Sequence, residues 1–91
     1  MAFFSDVFTV GTATAVQIVP PSNVPQHVTI HNEQKQSNTL MFIGGSAGMG
    51  TATSAHIGDD EARDLVIPPG DVVFCLASSN DLKISVLRVI Y

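Results

Sequence analysis

The stretch from Gln26 to Gly45 constrains the fold of this chain most strongly, because it predicts two strands separated by a polar segment. In residues 27–31 apolar and polar side chains alternate, with the period of two that is typical of a strand with one buried face. Residues 33–38 contain no apolar side chain and predict a solvated turn. Residues 39–43 are apolar on both faces and predict a strand that is covered on both sides. We interpret the stretch as a hairpin to which the other strands add.

Similar patterns predict further strands at residues 14–18, 65–67, 72–77 and from 82 onward. Eighteen Val and Ile residues against five Leu residues also favour strands over helices. Residues 44–64 have no clear period, and there we expect a long loop with one short strand between Thr51 and Ile57. The segment from Pro68 to Asp71 has the residue order of a Pro-Gly turn. The sequence therefore predicts an all-β domain with almost no helix.

The first ten residues carry an aromatic cluster without a clear period. Phe3, Phe4 and Phe8 lie within eight residues of the start, where a chain is ordinarily poorly ordered. We interpret residues 1–12 as an N-terminal arm that is ordered by packing on a neighbour, and residues 13–91 as a single folded domain. An ordinary edge strand is the alternative.

The last predicted strand changes its pattern halfway. Up to Val86 apolar and polar residues alternate, whereas from Leu87 onward the strand is apolar on both faces. A bulge at these two residues would return Arg88 to the wet face, and a neighbouring subunit would cover the remaining apolar side. We expect a homo-oligomer, a trimer in preference to a dimer. Its subunit interface is predicted to contain Met41, Ile43, Leu87, Val89 and Tyr91.

Charge and hydropathy argue against several classes of function. Only 13% of the residues are charged and the mean hydropathy is +0.30, which indicates apolar surface that is hidden by association. The net charge is -4, and the four cationic residues stand singly along the chain, so we expect no binding to nucleic acid. The longest apolar run, residues 72–77, is too short to cross a membrane. The first residues lack the basic segment of an export signal.

The residues with chemical potential do not form a catalytic or metal-binding set. His27 and His31 lie four positions apart on a predicted strand, roughly 13 Å from each other, which is too far for one ion. The acidic run at residues 59–64 lacks the spacing of a calcium loop, and a weak cation site there is the alternative to a solvated loop. Cys75 is the single cysteine, so no internal disulfide forms, and its apolar neighbours predict an inert core thiol. We therefore expect no enzyme activity, no cofactor and no metal.

Five short segments follow one another in a recognisable order. They are a strand ending in proline (AVQIVPPS), a strand ending in Asn (HVTIHN), the segment LMFIGGS, the turn PPGD, and VVFCLASSND before a final strand. Across residues 13–91 this order resembles that of small virion proteins of tailed bacteriophages, the head decoration or cement proteins. In such proteins a short strand and an Asn-Gly turn follow the Gly-Gly-Ser segment, and here a longer stretch with GDDEARD stands in their place.

The resemblance implies a small antiparallel β-sandwich or jelly-roll-like barrel that decorates a capsid and ties adjacent major capsid subunits together. It implies the major capsid protein as the partner and the outer capsid surface of the virion as the location, after synthesis in the host cytoplasm. The arm is then predicted to contact the capsid through Phe3, Phe4, Val7, Phe8 and Val10. A tail, head-to-tail adaptor or spike component of a phage is the alternative, and a cupin-like enzyme is a third class.

Overall fold

The computed structural model describes residues 2–33, 40–45, 55–58, 61–79 and 82–90 of the chain. These residues form eight β-strands and no helix, so the all-β prediction is confirmed. The strands are β1 (Ala2–Val10), β2 (Val16–Val19), β3 (Gln26–Asn32), β4 (Met41–Gly44), β5 (Ala55–Ile57), β6 (Ala62–Ile67), β7 (Val73–Ala77) and β8 (Leu82–Ile90). Nothing in these ranges has the helical length and hydropathy that crossing a membrane requires.

Two antiparallel four-stranded sheets pack face to face. Sheet A has the strand order β1-β8-β3-β6, and sheet B has the order β2-β7-β4-β5. Each connection along the chain passes from one sheet to the other, except that β4 and β5 pair directly in sheet B. This order is that of a jelly roll, an eight-stranded sandwich of two Greek keys. The predicted antiparallel β-sandwich of jelly-roll type is confirmed.

The predicted hairpin between residues 26 and 45 is wrong, although both of its strands exist. Strand β3 lies in sheet A and β4 lies in sheet B, so the two strands face each other across the core. Val28, Ile30 and Met41 are fully buried from opposite sides. An alternating pattern shows which face of a strand is buried, and that face is the same whether two strands lie side by side or in opposed sheets. The part of the predicted turn at residues 34–39 lies outside the described residues.

Aliphatic side chains from both sheets fill the space between them. Strand β8 lies between β1 and β3, and its residues Leu82, Ile84 and Val86 all point inward. The whole core cluster consists of Val10, Ile18, Val19, Val28, Ile30, Met41, Ile57, Ile67, Val73, Cys75, Ala77, Leu82, Ile84 and Val86. The interior is therefore a packed core of the kind that a small barrel needs.

Strand β2 shows how a local irregularity adds to this core. Its register against β7 shifts between Gln17 and Val19, and the successive residues Ile18 and Val19 are both buried. A bulge turns two neighbouring side chains to the same side of the sheet. Pro20, which has no backbone N–H to donate, follows immediately and ends the strand.

The predicted Pro-Gly turn connects β6 to β7. The backbone N–H of Asp71 donates to the carbonyl of Pro68 at 3.1 Å. Gly70 has a φ of 84°, in the left-handed region that favours glycine, and Pro69 precedes it. These features are those of a type II turn, which requires a positive φ at its third residue. The predicted turn is confirmed.

The region from residue 44 to residue 64 contains more sheet than the sequence indicates. Strand β5 lies inside the range where one short strand is predicted. Strand β6 begins at Ala62, three residues before the predicted start, and its first residues pair with β3. Arg63 and Asp64 make this part of β6 hard to recognise as a strand from hydropathy alone. A strand at the edge of a sheet has one neighbour and tolerates exposed charged residues.

The N-terminal segment is a strand of the sheet. All nine residues of β1 pair with β8, in an unbroken register from Ala2 opposite Ile90 to Val10 opposite Leu82. The expectation that the sheet begins near Ala13 is therefore wrong, and the edge-strand alternative holds. The cause is the position of β1 at the edge of sheet A, where one neighbour leaves most of its side chains exposed and weakens the period-two pattern.

Candidate interaction surface

The outer face of sheet A, which points away from sheet B, carries apolar side chains at one end. The register sets Phe3, Val89, His27 and Val66 in one row across the four strands. Leu87 lies in the next row, and Val7 lies in the row after it. We refer to Phe3, Val7, Val66, Leu87 and Val89 together as the apolar patch.

The apolar patch is open to solvent in the monomer. Phe3, Val7 and Val66 are 66%, 69% and 66% exposed, and Leu87 is 37% exposed. Val89 is half-buried between its neighbours. Single exposed apolar residues are common on proteins, but a group of them on one flat face is typical of an interaction site. The patch is therefore the candidate interaction surface among the described residues.

The remainder of the same face is polar, and its side chains bond to one another. Thr29 Oγ1 donates to Asp64 Oδ1 at 2.6 Å. Ser85 Oγ donates to Glu33 Oε1 at 2.6 Å, and the same oxygen lies 2.8 Å from His31 Nδ1. These contacts pair polar side chains of the face with one another inside the monomer.

The structure brings together four of the residues that the sequence predicts as contacts. Phe3 and Val7 come from the predicted capsid-contact set, and Leu87 and Val89 come from the predicted subunit interface. Two sets that the sequence separates thus form one surface. Val66 completes it and was missed, because residues 65–67 predict a strand but do not show which of its faces is buried.

Two other predicted contacts, Val10 and Met41, are core residues and their assignment to an interface is wrong, while Phe8 and Ile43 pack against the core. Val10 is 1% exposed and Met41 is fully buried. Phe8 and Ile43 are partly buried and pack against the core cluster. Each of them points to the inner side of its sheet, where the monomer itself covers it. Tyr91 lies outside the described residues.

Arg88 lies on the inner side of sheet A, and its predicted return to the wet face is wrong. The alternation of β8 runs without a bulge, so Arg88 follows Val86 inward and is 8% exposed. Its Nη1 donates to Gln26 Oε1 at 3.0 Å, and Gln26 Nε2 donates to the Pro20 carbonyl at 2.7 Å. Its Nη2 lies 4.0 Å from Asp6 Oδ2.

The Arg88 guanidinium also closes one end of the core beneath β1. Its Cζ lies 4.6 Å from the centroid of the Phe4 ring, the geometry of a cation–π contact. In the described part of the chain, Arg88 Nε is the buried side-chain polar atom that lacks a hydrogen-bond partner. Phe4, a predicted capsid contact, thus belongs to the rim of the core and is 41% exposed. A strict period of two, extended from Leu82 to Ile90, would have placed Arg88 correctly.

The residues considered for chemistry remain apart. His27 and His31 lie on the outer face of β3, the strand arrangement that the sequence predicts. Within the described ranges no three His, Cys, Asp or Glu side chains are grouped as metal ligands would be. Glu61 Oε1 accepts from the backbone of Gly58, while Asp59 and Asp60 of the acidic run lie outside the described residues.

Cys75 lies in the core, as its apolar neighbours predict. It is fully buried, and this burial raises the pKa of its thiol to about 12. A thiol that stays protonated in apolar surroundings is a poor nucleophile and a poor metal ligand.

One open depression of about 630 Å³ lies at an end of the sandwich. Pro21, Ser22, Asn23, Pro69 and Gly70 line it, and the backbone N–H of Gly70 donates to the Ser22 carbonyl at 2.9 Å. Its lining offers one hydroxyl and one amide, without an acid or base to activate them. The depression therefore has no arrangement for catalysis.

Comparison with known proteins finds a likeness of fold. No protein-family model matches the sequence, and no curated protein matches it. Among solved structures, the chain is similar to a protein from Bacillus endospore appendages, described as a novel family of disulfide-linked pili. The TM-score is 0.60 at 14% identity, over 96% of this chain and 83% of the other. At this identity the likeness shows that the two proteins share the fold.

Proposed function

We propose that this chain is a structural protein that decorates the outside of a phage capsid, bridges major capsid subunits and thereby stabilises the shell. The apolar patch on sheet A is its contact surface. The observation that carries the proposal is the exposure of Phe3, Val7, Val66 and Leu87 on one face of the sheet. The order of sequence segments that resembles decoration proteins supplies the class of partner.

The distribution of side chains supports a binding role over catalysis. The space between the sheets is occupied by aliphatic residues, whereas jelly rolls that act as enzymes of the cupin type hold a site inside the barrel. Among the residues that the structure describes, Gln26, Asn32 and Arg88 are the buried polar ones, and each makes a hydrogen bond within the fold. We propose on these grounds that the protein is not an enzyme and uses no cofactor.

Charge supports the same assignment. The chain has a net charge of -4, and Asp64 lies in the row of Leu87 on the outer face of sheet A. A carboxylate beside an apolar patch is complementary to an apolar site with a basic group next to it. Such an arrangement suits the exposed surface of a shell better than contact with packaged DNA, whose phosphates would repel it.

A subunit of an extracellular fibre is the second candidate, and the shared fold with an endospore pilus protein favours it. A tail or adaptor component of a phage belongs to the same structural class. The neighbour's fibres are described as disulfide-linked. The single cysteine of this chain is fully buried, so a fibre built from it would be joined by non-covalent contacts.

Leu87→Lys and Val24→Lys form a matched pair for testing the contact surface. Both residues are 37% exposed, but Leu87 lies in the apolar patch and Val24 lies in the loop between β2 and β3. We expect Leu87→Lys to weaken binding to heads prepared without the protein at least tenfold in a sedimentation assay, because a charge would be buried against an apolar site. Val24→Lys should bind as the wild type does.

The stability of the heads provides a second readout. Heads that carry the wild type or Val24→Lys should rupture at a higher temperature than bare heads, and heads mixed with Leu87→Lys should behave as bare heads do. If the wild type does not bind heads, the decoration role is wrong. Regular filaments of the purified protein in electron micrographs would then establish the second candidate.

A further inference from the structure

The four edges of the two sheets differ in how well they resist pairing with another chain. Edge strand β2 has four residues, carries the bulge and runs into Pro20, and β5 has three residues. Edge strand β6 has six residues, with Arg63 on the inner side and Pro68 after its end. Short strands, bulges, prolines and inward charges are the devices that keep an edge unpaired.

Strand β1 has one of these devices, an inward charge, and lacks the others. It has nine residues, pairs with β8 without a register shift, and contains neither proline nor lysine. In the part of the chain that the structure describes, no strand occupies its other side. Its single charge, Asp6, points to the inner side opposite Val86, where an inward charge would ordinarily discourage pairing. Arg88 Nη2, 4.0 Å away, offsets that charge.

Resting on the proposed structural role, we infer that β1 is the contact between copies of this chain. Two β1 strands pair antiparallel about a two-fold axis that is perpendicular to sheet A and passes next to Ser5. Sheet A then continues across both molecules as one eight-stranded sheet. The partner is a second copy because an isologous contact uses the same edge twice and closes after two subunits.

The register follows from the side chains of β1. A two-fold axis perpendicular to the sheet keeps outer residues opposite outer residues. An axis next to Asp6 would set two carboxylates opposite each other, which is unfavourable. An axis next to Ser5 sets Phe3 opposite Val7 of the second copy, twice. These are the two most exposed apolar side chains of β1, and pairs of an aromatic with a β-branched residue stabilise sheets.

Pairing would also double the outer face of sheet A, so that its area exceeds what each partner buries in a standard interface. Strands β1, β8, β3 and β6 have 9, 9, 7 and 6 residues. At a spacing of about 4.8 Å they offer a face of roughly 500 Å², less than the roughly 800 Å² that each partner buries in a standard interface. Two faces side by side offer roughly 1,000 Å², with the two apolar patches adjacent to each other across the axis. The pair is thus a better unit of attachment than the monomer.

Ser5→Cys tests the register directly. Opposed residues of an antiparallel pair have Cα atoms about 4.5 or 5.5 Å apart, within the range that a disulfide spans. We expect mild oxidation of Ser5→Cys at micromolar concentration to give a disulfide-linked dimer. The wild type is the negative control for cross-linking, because its single thiol, Cys75, is fully buried.

Val7→Cys and Thr9→Cys are the controls on the same outer side of β1. In the inferred register each Val7 lies roughly 13 Å from its copy along the strand, and each Thr9 roughly 26 Å, so neither should cross-link. Dimers from Val7→Cys in preference to Ser5→Cys would overturn the register. Equal cross-linking at all three positions would show random collision and overturn the inference.

Val7→Lys and Val66→Lys keep the inference testable without oxidation. The two valines are 69% and 66% exposed on the same face, at opposite edges of sheet A. In sedimentation velocity we expect Val7→Lys to weaken dimerisation at least tenfold and Val66→Lys to leave it unchanged. A monomeric wild type, a trimer, or an open chain sensitive to Val66→Lys would overturn the β1 pair. Head binding is measured separately, so a dimer that does not bind heads would contradict the proposed function alone.

Discussion

Near the end of β8 the usual placement is reversed, with an apolar residue on the outer side and a charged residue on the inner side. Leu87 is apolar and points outward, where it is 37% exposed, while its neighbour Arg88 is charged and points inward, where it is 8% exposed. Earlier in the strand the usual order holds, with Ile84 inside and Lys83 and Ser85 outside. At this end of sheet A an apolar side chain thus lies outside and a charged one inside.

The two sides differ in whether the monomer satisfies them. Arg88 has Gln26 as hydrogen-bond acceptor and the Phe4 ring above it, so its burial is compensated within the chain. Leu87 has no comparable cover among the described residues. The contacts of Arg88 therefore stabilise the monomer, whereas the exposed side of Leu87 gains nothing from them.

The largest difference should come from truncating one residue on each side of β8. Ile84→Ala should lower the free energy of unfolding by about 2–5 kcal/mol, since it leaves a cavity at a fully buried site. Leu87→Ala should change it by no more than about 0.5 kcal/mol. Urea unfolding of both variants measures the contrast, and equal losses would mean that the outer side also contributes to the monomer's core.

A smaller effect should distinguish Gln26 from Arg88, which form a buried hydrogen-bonded pair. Gln26→Leu should lower the free energy of unfolding by about 3 kcal/mol, because it leaves the Arg88 charge buried without its acceptor. Arg88→Met should lower it by about 1 kcal/mol, because the charge itself is removed. The double variant should recover most of the loss. If Arg88→Met is the more damaging change, Arg88 stabilises the fold through contacts other than this pair.

The smallest effect should appear as a pH dependence on the inner side of sheet B. Burial raises the pKa of Cys75 from 9.0 to about 12, above its value in the unfolded chain. The neutral thiol therefore contributes fully below pH 9, and this contribution is lost as the pH rises from 9 toward 12. At pH 10, one unit above the unfolded value, the free energy of unfolding should therefore be about 1.4 kcal/mol lower than at neutral pH. Cys75→Val, which has no proton to lose, should show a shallower decline, and parallel curves would contradict the burial of the thiol.

Much of the fold was predictable because strand patterns are local. Alternation in residues 27–31 and 82–86 identified the cores of β3 and β8, and the order of Pro68 to Asp71 identified the type II turn. Edge strands were less predictable. Strand β1 and the first half of β6 have one neighbour each, and their exposed positions tolerate residues that break the pattern.

The candidate surface was predictable residue by residue but not as a whole. The double apolarity of residues 87–89 and the aromatic start of the chain both indicated association. Their meeting on one face depends on the pairing of β1 with β8, which no local pattern contains. The place of Val66 on this face also depends on strand pairing, because β3 lies between β6 and β8 and sets the register of β6.

The sequence by itself determined that this protein is all-β, that its single cysteine is a core thiol, and that much apolar surface would face outward. These properties depend on composition and on a period of two, which short segments carry independently. The tertiary structure alone decided that β3 and β4 face each other, that Arg88 points inward, and that Phe3 and Leu87 share a surface. The physical reason is that alternation specifies which side chains are buried, whereas strand neighbours are selected by packing between distant parts of the chain.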